Sequence, residues 1–291
     1  MKPSPFEYLA PGTVDECLTL LAQRGDDAKV LAGGQSLVPL MNLRLAAPET
    51  LIDLNRVDGL AGIREDGDRL VVGAMTRHRD VASSDVVQAA CPMLAHAASL
   101  IGYPAIRNRG TIGGSLAHAD PASEMPCVAV TLDAELVVAG PQGRRTVPAG
   151  DFLISHFTTA LEPSELLVEI RFPRSAAGDG REFTAFSRKS GDFALVALAI
   201  DLQVRDGRVA RARVGVGGVG DRPWRAEAAE ALLAGAEPAD ELLERAAGEV
   251  GSQAANGSGD GGQDEDRRYR GHVAATLARR ALRTAMDRVG G

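Results

Sequence analysis

Aromatic residues are scarce in this sequence. Phe, Tyr and Trp make up 4% of the 291 residues, with a single Trp, while hydrophobic residues reach 45%. Leu, Val and Ala must therefore fill most of the core. Cysteine is scarcer still. Cys17, Cys91 and Cys127 are odd in number and far apart, with no C-x-x-C pair. That argues against a disulfide framework and a structural zinc site. It also leaves no place for an iron–sulfur cluster, which needs about four thiolates at close spacing. No stretch approaches about 18 uninterrupted apolar residues, so no membrane span is expected. The opening "MKPSPFEYLAPG" has no apolar core of signal-peptide length, and the chain is expected to be cytoplasmic. A formal net charge of −7 argues against a nucleic-acid footprint.

The length suits two modest domains, or one large one with subdomains. "TVDECLTLLAQRGDD" (13–27) predicts an amphipathic helix, with Thr13 as cap and Glu16 at the capping-box position. "AKVLAGG" reads as a short buried strand and "LIDLNRV" (51–57) as another, giving a small α/β lobe over 1–56. A second lobe follows over 57–176. It contains two β runs about a Gly-Asp turn at 62–76 and a helical stretch at 86–102 with Pro92 near an end. A hairpin around Pro-Gln-Gly spans 134–153, and the strand "ELLVEIRFP" closes on a proline. The segment "SAAGDGRE" reads as a linker. Beyond it, at 177–291, lies an α+β domain. Two long β runs at 194–220 turn at Asp206-Gly207, and helical stretches follow at 225–250 and 267–288. The segment 251–266, rich in Gly, Ser and acidic residues, reads as a loop.

Two stretches stand apart from ordinary core. "AGGQSL" and "GTIGGSL" each run a small apolar residue into Gly-Gly and then a hydroxyl. Glycines without Cβ allow a ligand to approach the main chain, and successive N–H groups can cradle phosphate oxygens. Ser36, Thr111 and Ser115 can add hydrogen bonds. Two such loops could clamp a diphosphate from both sides. Neither matches G-x-x-x-x-G-K-[ST] or G-x-G-x-x-G. The residues alone leave two readings open: plain turns, or an anion or dinucleotide site. "GVGGVG" (215–220) precedes "DRP" and reads as turn chemistry.

"KVLAGGQSLVPLMNLRL", "IRNRGTIGGSLAHADPASEMP", "LEPSELLVEIRFP" and "KSGDFALVALAI" occur in the order and spacing of one family. The chain resembles the FAD-binding medium subunit of the molybdenum hydroxylases, which includes the carbon monoxide dehydrogenase and xanthine dehydrogenase groups. The resemblance extends to "YRGHVAATLARRAL" near the C-terminus. It implies an α+β architecture: a two-lobed FAD-binding domain of the vanillyl-alcohol-oxidase type over 1–176, then a C-terminal flavoprotein-subunit domain.

The resemblance also implies the site. Lys29, Val30, Leu31, Ala32, Gly33, Gly34, Gln35, Ser36 and Leu37 match the family's first FAD segment. Thr111, Ile112, Gly113, Gly114 and Ser115 match the second. Ile101 and Leu166 fall where relatives place apolar FAD contacts, though each also suits a core position. Glu124 matches an acidic residue that accepts from FAD hydroxyls, with Asp120 as a nearby competitor. Lys189, or Arg188 beside it, matches a basic contact, and Phe193 an aromatic one against the isoalloxazine ring. For these three the plain alternatives are a solvated basic face and the start of a buried strand. His78, His118 and His156 are expected to be structural or rim residues, because the resemblance is to the branch that holds FAD non-covalently.

The implied role is an electron relay. Molybdopterin and [2Fe-2S] clusters are expected only in a large and a small partner subunit, in a dimer of heterotrimers. This chain would pass electrons to an outside acceptor. No catalytic acid–base set and no metal site is expected here. Carbon monoxide dehydrogenase relatives often carry His where this chain has Gln35, which favours an N-heterocycle, aldehyde or purine as substrate of the complex. The alternatives are a stand-alone flavoenzyme of the vanillyl-alcohol-oxidase type and a flavin-free binding protein.

Overall fold

The computed structural model describes residues 2–176, 178–256 and 264–289. The chain opens with β1 (Glu7–Leu9), α1 (Val14–Arg24), β2 (Ala28–Leu31), α2 (Leu37–Asn42) and β3 (Thr50–Asp53). The strands form a parallel sheet in the order β1-β3-β2. α1 starts as expected, with the Thr13 hydroxyl accepting the Glu16 N–H at 3.2 Å. Glu16 reaches one residue further back than a capping box requires and accepts the Gly12 N–H at 2.7 Å.

The second lobe begins with β4 (Ile63–Asp66) and β5 (Arg69–Gly73). Six helices follow: α3 (His78–Ser83), α4 (Asp85–Ala90), α5 (Pro92–Leu100), α6 (Pro104–Arg107), α7 (Ile112–His118) and α8 (Glu124–Thr131). Then come β6 (Glu135–Gly140), β7 (Gly143–Pro148), α9 (Ala149–Phe152), β8 (Leu153–Ser155), β9 (Thr158–Thr159) and β10 (Leu166–Pro173). Five strands make an antiparallel sheet ordered β4-β5-β10-β6-β7. The helical stretch at 86–102 divides in two. Pro92 takes the first turn of α5, where its missing N–H costs nothing but ends continuity with α4.

The C-terminal domain holds β11 (Gly180–Phe186), β12 (Val196–Arg205), β13 (Arg208–Gly217), β14 (Trp224–Arg225), α10 (Glu227–Leu233), α11 (Asp240–Asn256) and α12 (Asp264–Asp287). Its sheet runs β11-β12-β13-β14. β11 was not among the expected strands. The helical stretch at 225–250 breaks into α10 and α11 around Gly235, which turns at φ 74°. Residues 251–256 of the expected loop finish α11, and 264–266 begin α12; the part between lies outside the described residues.

β12 explains how the domains join. Ala197 and Ala199 point into the core that carries α5, α7 and α8, while Val196, Leu198, Ile200 and Leu202 point into the core of α11 and α12. Both faces are covered, so "VALAI" is a continuous apolar run instead of an alternating one. The expected linker is pinned too. Buried Arg181 donates to Asp201 at 2.6 Å and to Asp179 at 3.1 Å.

Candidate functional site

The two Gly-Gly stretches meet in space. A Cβ on Gly33 would run into the carbonyl oxygen of Arg109 and stand 2.7 Å from the Cα of Gly110. A Cβ on Gly114 would reach 3.3 Å from that of Ala32. The first loop therefore lies directly against the second. The residues between them are small because the backbones touch.

The loops differ in what they can offer a ligand. In the first, Gly34 turns at φ 74°, and Gln35 Nε2 donates back to the Gly33 carbonyl at 3.1 Å. The N–H groups of Gly33, Gly34, Gln35 and Ser36 donate to no acceptor among the described residues. In the second, the N–H groups from Ile112 to Ser115 are engaged. Ile112 donates to Thr76 O at 3.1 Å and Gly113 to Ala74 O at 2.9 Å. Gly114 donates to Thr111 Oγ1 at 3.1 Å, and Ser115 to Thr111 O at 3.0 Å. Most of the free main-chain donors therefore lie in the first loop. Thr111 caps α7 and uses up the donors that a helix start leaves open. The second loop supplies a wall and the half-buried Ser115 hydroxyl. Ile112 is fully buried core.

Two residues that the sequence reading missed tie the loops together. Asn55 Nδ2 donates to Ala32 O at 3.0 Å. Its Oδ1 accepts from Arg77 Nη2 at 2.5 Å, and Arg77 Nη1 donates to Arg109 O. Asp53 orients Asn55 by accepting its backbone N–H at 2.9 Å. Partial burial, then the nearby Arg109 charge, weakens Arg77's hold on its proton. A cleft of about 410 Å³ opens beside Asn55, Thr76 and Arg77. The D-x-N spacing after β3 reads as ordinary turn chemistry, which hid Asn55.

The whole chain matches known proteins. The family described as "FAD binding domain in molybdopterin dehydrogenase" covers residues 4–175, and "CO dehydrogenase flavoprotein C-terminal domain" covers 181–285. The chain belongs to this FAD-binding flavoprotein family. It is 42% identical over 288 residues to the carbon monoxide dehydrogenase medium chain of Hydrogenophaga pseudoflava, covering 99% of each. It is 45% identical over 234 residues to the 6-hydroxypseudooxynicotine dehydrogenase complex subunit alpha of Paenarthrobacter nicotinovorans, covering 80% of this chain and 79% of that one. Among solved structures, carbon monoxide dehydrogenase from Hydrogenophaga pseudoflava superposes with a TM-score of 0.95 at 44% identity, covering 99% of this chain and 100% of that one. Quinoline 2-oxidoreductase from Pseudomonas putida 86 superposes at 0.92 with 35% identity, covering all of both chains. The chain is accordingly an oxidoreductase subunit with a FAD-binding domain, and its α+β fold is the family's.

The flavoprotein's remaining candidate residues lie in different parts of the fold. Leu166 is buried in the same apolar cluster that Val30 and Ala32 flank, beneath the first loop. Ile101 is half-buried against the cluster that holds Ile112 and Leu116. Lys29 is exposed on β2, and Leu37 opens α2. Glu124, half-buried at the start of α8, is pushed up to about 7 by burial, with the Asp120 charge adding to the shift. Arg188 and Phe193 line a separate cavity of about 400 Å³ with Gly191, Asp192 and Leu195. Phe193 is 60% exposed, so it is not the start of a buried strand. Lys189 is exposed and lies 3.7 Å from Asp192.

The three candidate histidines lie in two places. His78 is buried under Gly110 and donates its backbone N–H to Gly110 O at 3.0 Å. Burial, then Arg107 and Arg77, pushes it down to about 4. His118 stacks on Phe157 with ring centres 4.9 Å apart, and burial lowers its pKa. His156 is exposed beside the same ring.

Proposed function

We propose that this chain holds FAD non-covalently against the two Gly-Gly loops and serves as the electron-transfer subunit of a molybdenum hydroxylase. The observation that carries the reading is the row of free N–H groups from Gly33 to Ser36, in a loop packed closely against the second Gly-Gly segment. Four successive unpaired donors suit a diphosphate. In this reading the Ser36 and Ser115 hydroxyls extend the set, and Glu124 accepts from hydroxyls further along the cofactor. Arg188 and Phe193 border the space where the ring would lie, with Lys189 on the same loop. FAD, when bound, supplies the redox chemistry; the chain binds, orients and desolvates it.

The partners are two further chains, a small one with [2Fe-2S] clusters and a large one with molybdopterin, assembled as a dimer of heterotrimers in the cytoplasm. Electrons from the clusters pass through this chain to an external acceptor. Relatives of this chain are named for carbon monoxide, nicotine, glyceraldehyde and caffeine complexes. One flavoprotein design serves substrates of unrelated chemistry, which supports placing substrate choice in another chain. No helix among the described residues is long and apolar enough to cross a membrane.

The test is direct. Affinity-tagging the chain in its native host is expected to recover two more subunits, one rich in cysteine. Acid precipitation is expected to leave the yellow colour in the supernatant. Substrate-dependent dye reduction by the lone chain would overturn the relay and favour a stand-alone oxidase.

A further inference from the structure

The loop from Ser187 to Leu195 carries Arg188, Lys189 and Phe193, yet little of it is held by its own packing. Arg188, Lys189, Asp192 and Phe193 are all exposed. Most of its bonds are internal. Ser187 Oγ donates to Lys189 O at 2.9 Å, and Asp192 N to Lys189 O at 3.2 Å. Leu195 N closes the base on Phe186 O at 2.8 Å. These contacts shape the loop but do not fix where it stands relative to the FAD-binding domain.

Ala194 is buried in the core of that domain at the loop's base, and at the exposed tip one side chain does the fixing. Tyr103 Oη donates to Ser190 O at 3.0 Å. Its ring lies against Gly191, where a Cβ would come within 2.8 Å of Cζ and 3.1 Å of both Cε atoms. Gly191 turns at φ 84°, so the residue under the ring is one whose backbone disfavours any side chain. Tyr103 itself stands on a firm base. Arg107 Nη1 donates to Ile101 O at 2.9 Å and to Gly102 O at 3.0 Å, and Pro104 starts α6 immediately after it. Ile101 anchors the turn in the core. A tyrosine left 54% exposed gains little from burial. Its contacts are better explained by what they hold in place.

We propose that Tyr103 is a positioning residue: it latches the 187–195 loop of the C-terminal domain onto the FAD-binding domain and so sets the pose of Phe193 over the flavin ring. This rests on the FAD reading above. The turn that bears Tyr103 also bears Ile101, so one short segment would place an apolar contact directly and an aromatic one through the latch.

The experiment uses the full chain with Tyr103→Ala, Tyr103→Phe and Gly191→Ala. Hydrogen exchange is read first, without flavin. Amides of 188–193 are expected to exchange about fivefold faster in Tyr103→Ala, the ratio a single lost hydrogen bond supplies. Tyr103→Phe, which keeps the ring on Gly191, should fall between wild type and Tyr103→Ala. Gly191→Ala, which crowds the ring off, should match Tyr103→Ala. Exchange in α5 and β10 should be unchanged in all three. Loop exchange equal to wild type in Tyr103→Ala overturns the latch. FAD is then added. Brighter flavin fluorescence in Tyr103→Ala than in wild type, at equal occupancy, supports the placement of Phe193. Equal fluorescence overturns that placement. A wild-type chain that takes up no FAD while its variants still show faster loop exchange overturns the FAD reading and supports the latch.

Discussion

Gly33 and Arg109 touch through their backbones: the space a Cβ would need on Gly33 is filled by the Arg109 carbonyl oxygen. That same oxygen accepts from Arg77. One carbonyl therefore sets both how near the two loops come and how they are tied.

Gly33→Ala should be more damaging than Gly34→Ala. At Gly33 the obstacle is main chain, which cannot rotate away, and overpacking of this kind costs about 1–3 kcal/mol. At Gly34 the new Cβ meets side-chain atoms of Val38 and Leu31 at 3.2 and 3.3 Å. Those can yield, leaving the left-handed backbone cost of about 1–2 kcal/mol. FAD titration of both variants tests the order. Full occupancy in Gly33→Ala would remove the loop contact from the binding site.

Arg77→Lys keeps the charge but loses the fork that reaches Asn55 and Arg109 together. One lost bond of about 1–1.5 kcal/mol predicts roughly tenfold weaker FAD binding. Asn55→Ala should weaken it similarly, and the double variant should cost less than the sum because the two residues share one network. Additive losses would show that they act separately.

Phe193→Ala should leave thermal stability within about 0.5 kcal/mol of wild type, since the ring is a surface group. Flavin fluorescence should rise and the reduction potential shift, because a stacked aromatic quenches and desolvates the ring. A stable variant with an unchanged flavin spectrum would take Phe193 off the site.

Glu124 should make the flavin-free chain less stable as pH rises. Its folded pKa of about 7 lies above its ordinary value of 4.5, so the folded state holds its proton longer than the unfolded state does. Stability from this group is complete below pH 4.5, declines between 4.5 and about 7, and stays low above that. Glu124→Gln should abolish that slope and raise stability above pH 7, by up to about 3 kcal/mol. Melting temperatures at pH 5 and 8 decide it; an equal fall in variant and wild type would place the slope elsewhere.

Asp201→Ala should be the most destabilising change outside the site. It strips a partner from buried Arg181, and breaking such a pair costs about 3–5 kcal/mol. Denaturant unfolding measures this, and a loss below 1 kcal/mol would mean that Asp179 compensates alone.

Much of this was legible in the residues. The α1 cap, the β4–β5 and β6–β7 hairpins and the long β12–β13 pair are local. Each follows from spacing and turn chemistry within about ten neighbours. So does the pairing of two Gly-Gly stretches with hydroxyls, which marks a candidate site in the sequence alone. What failed was also local in cause. Pro92 and Gly235 each divide a stretch whose apolar spacing continues across the break.

The tertiary structure alone decided how the site is built. No spacing rule joins Asn55 to Arg77, or Tyr103 to Ser190, because these contacts cross between elements far apart in the chain. Nor could the sequence say which loop keeps its donors. Gly33–Ser36 and Ile112–Ser115 look alike as strings of small residues. Their N–H groups differ because Thr111 starts a helix beside the carbonyls of Ala74 and Thr76, whereas Gly34 turns away from any acceptor. A backbone donor is free or spent according to what folding brings within about 3 Å of it, and only the folded chain sets that distance.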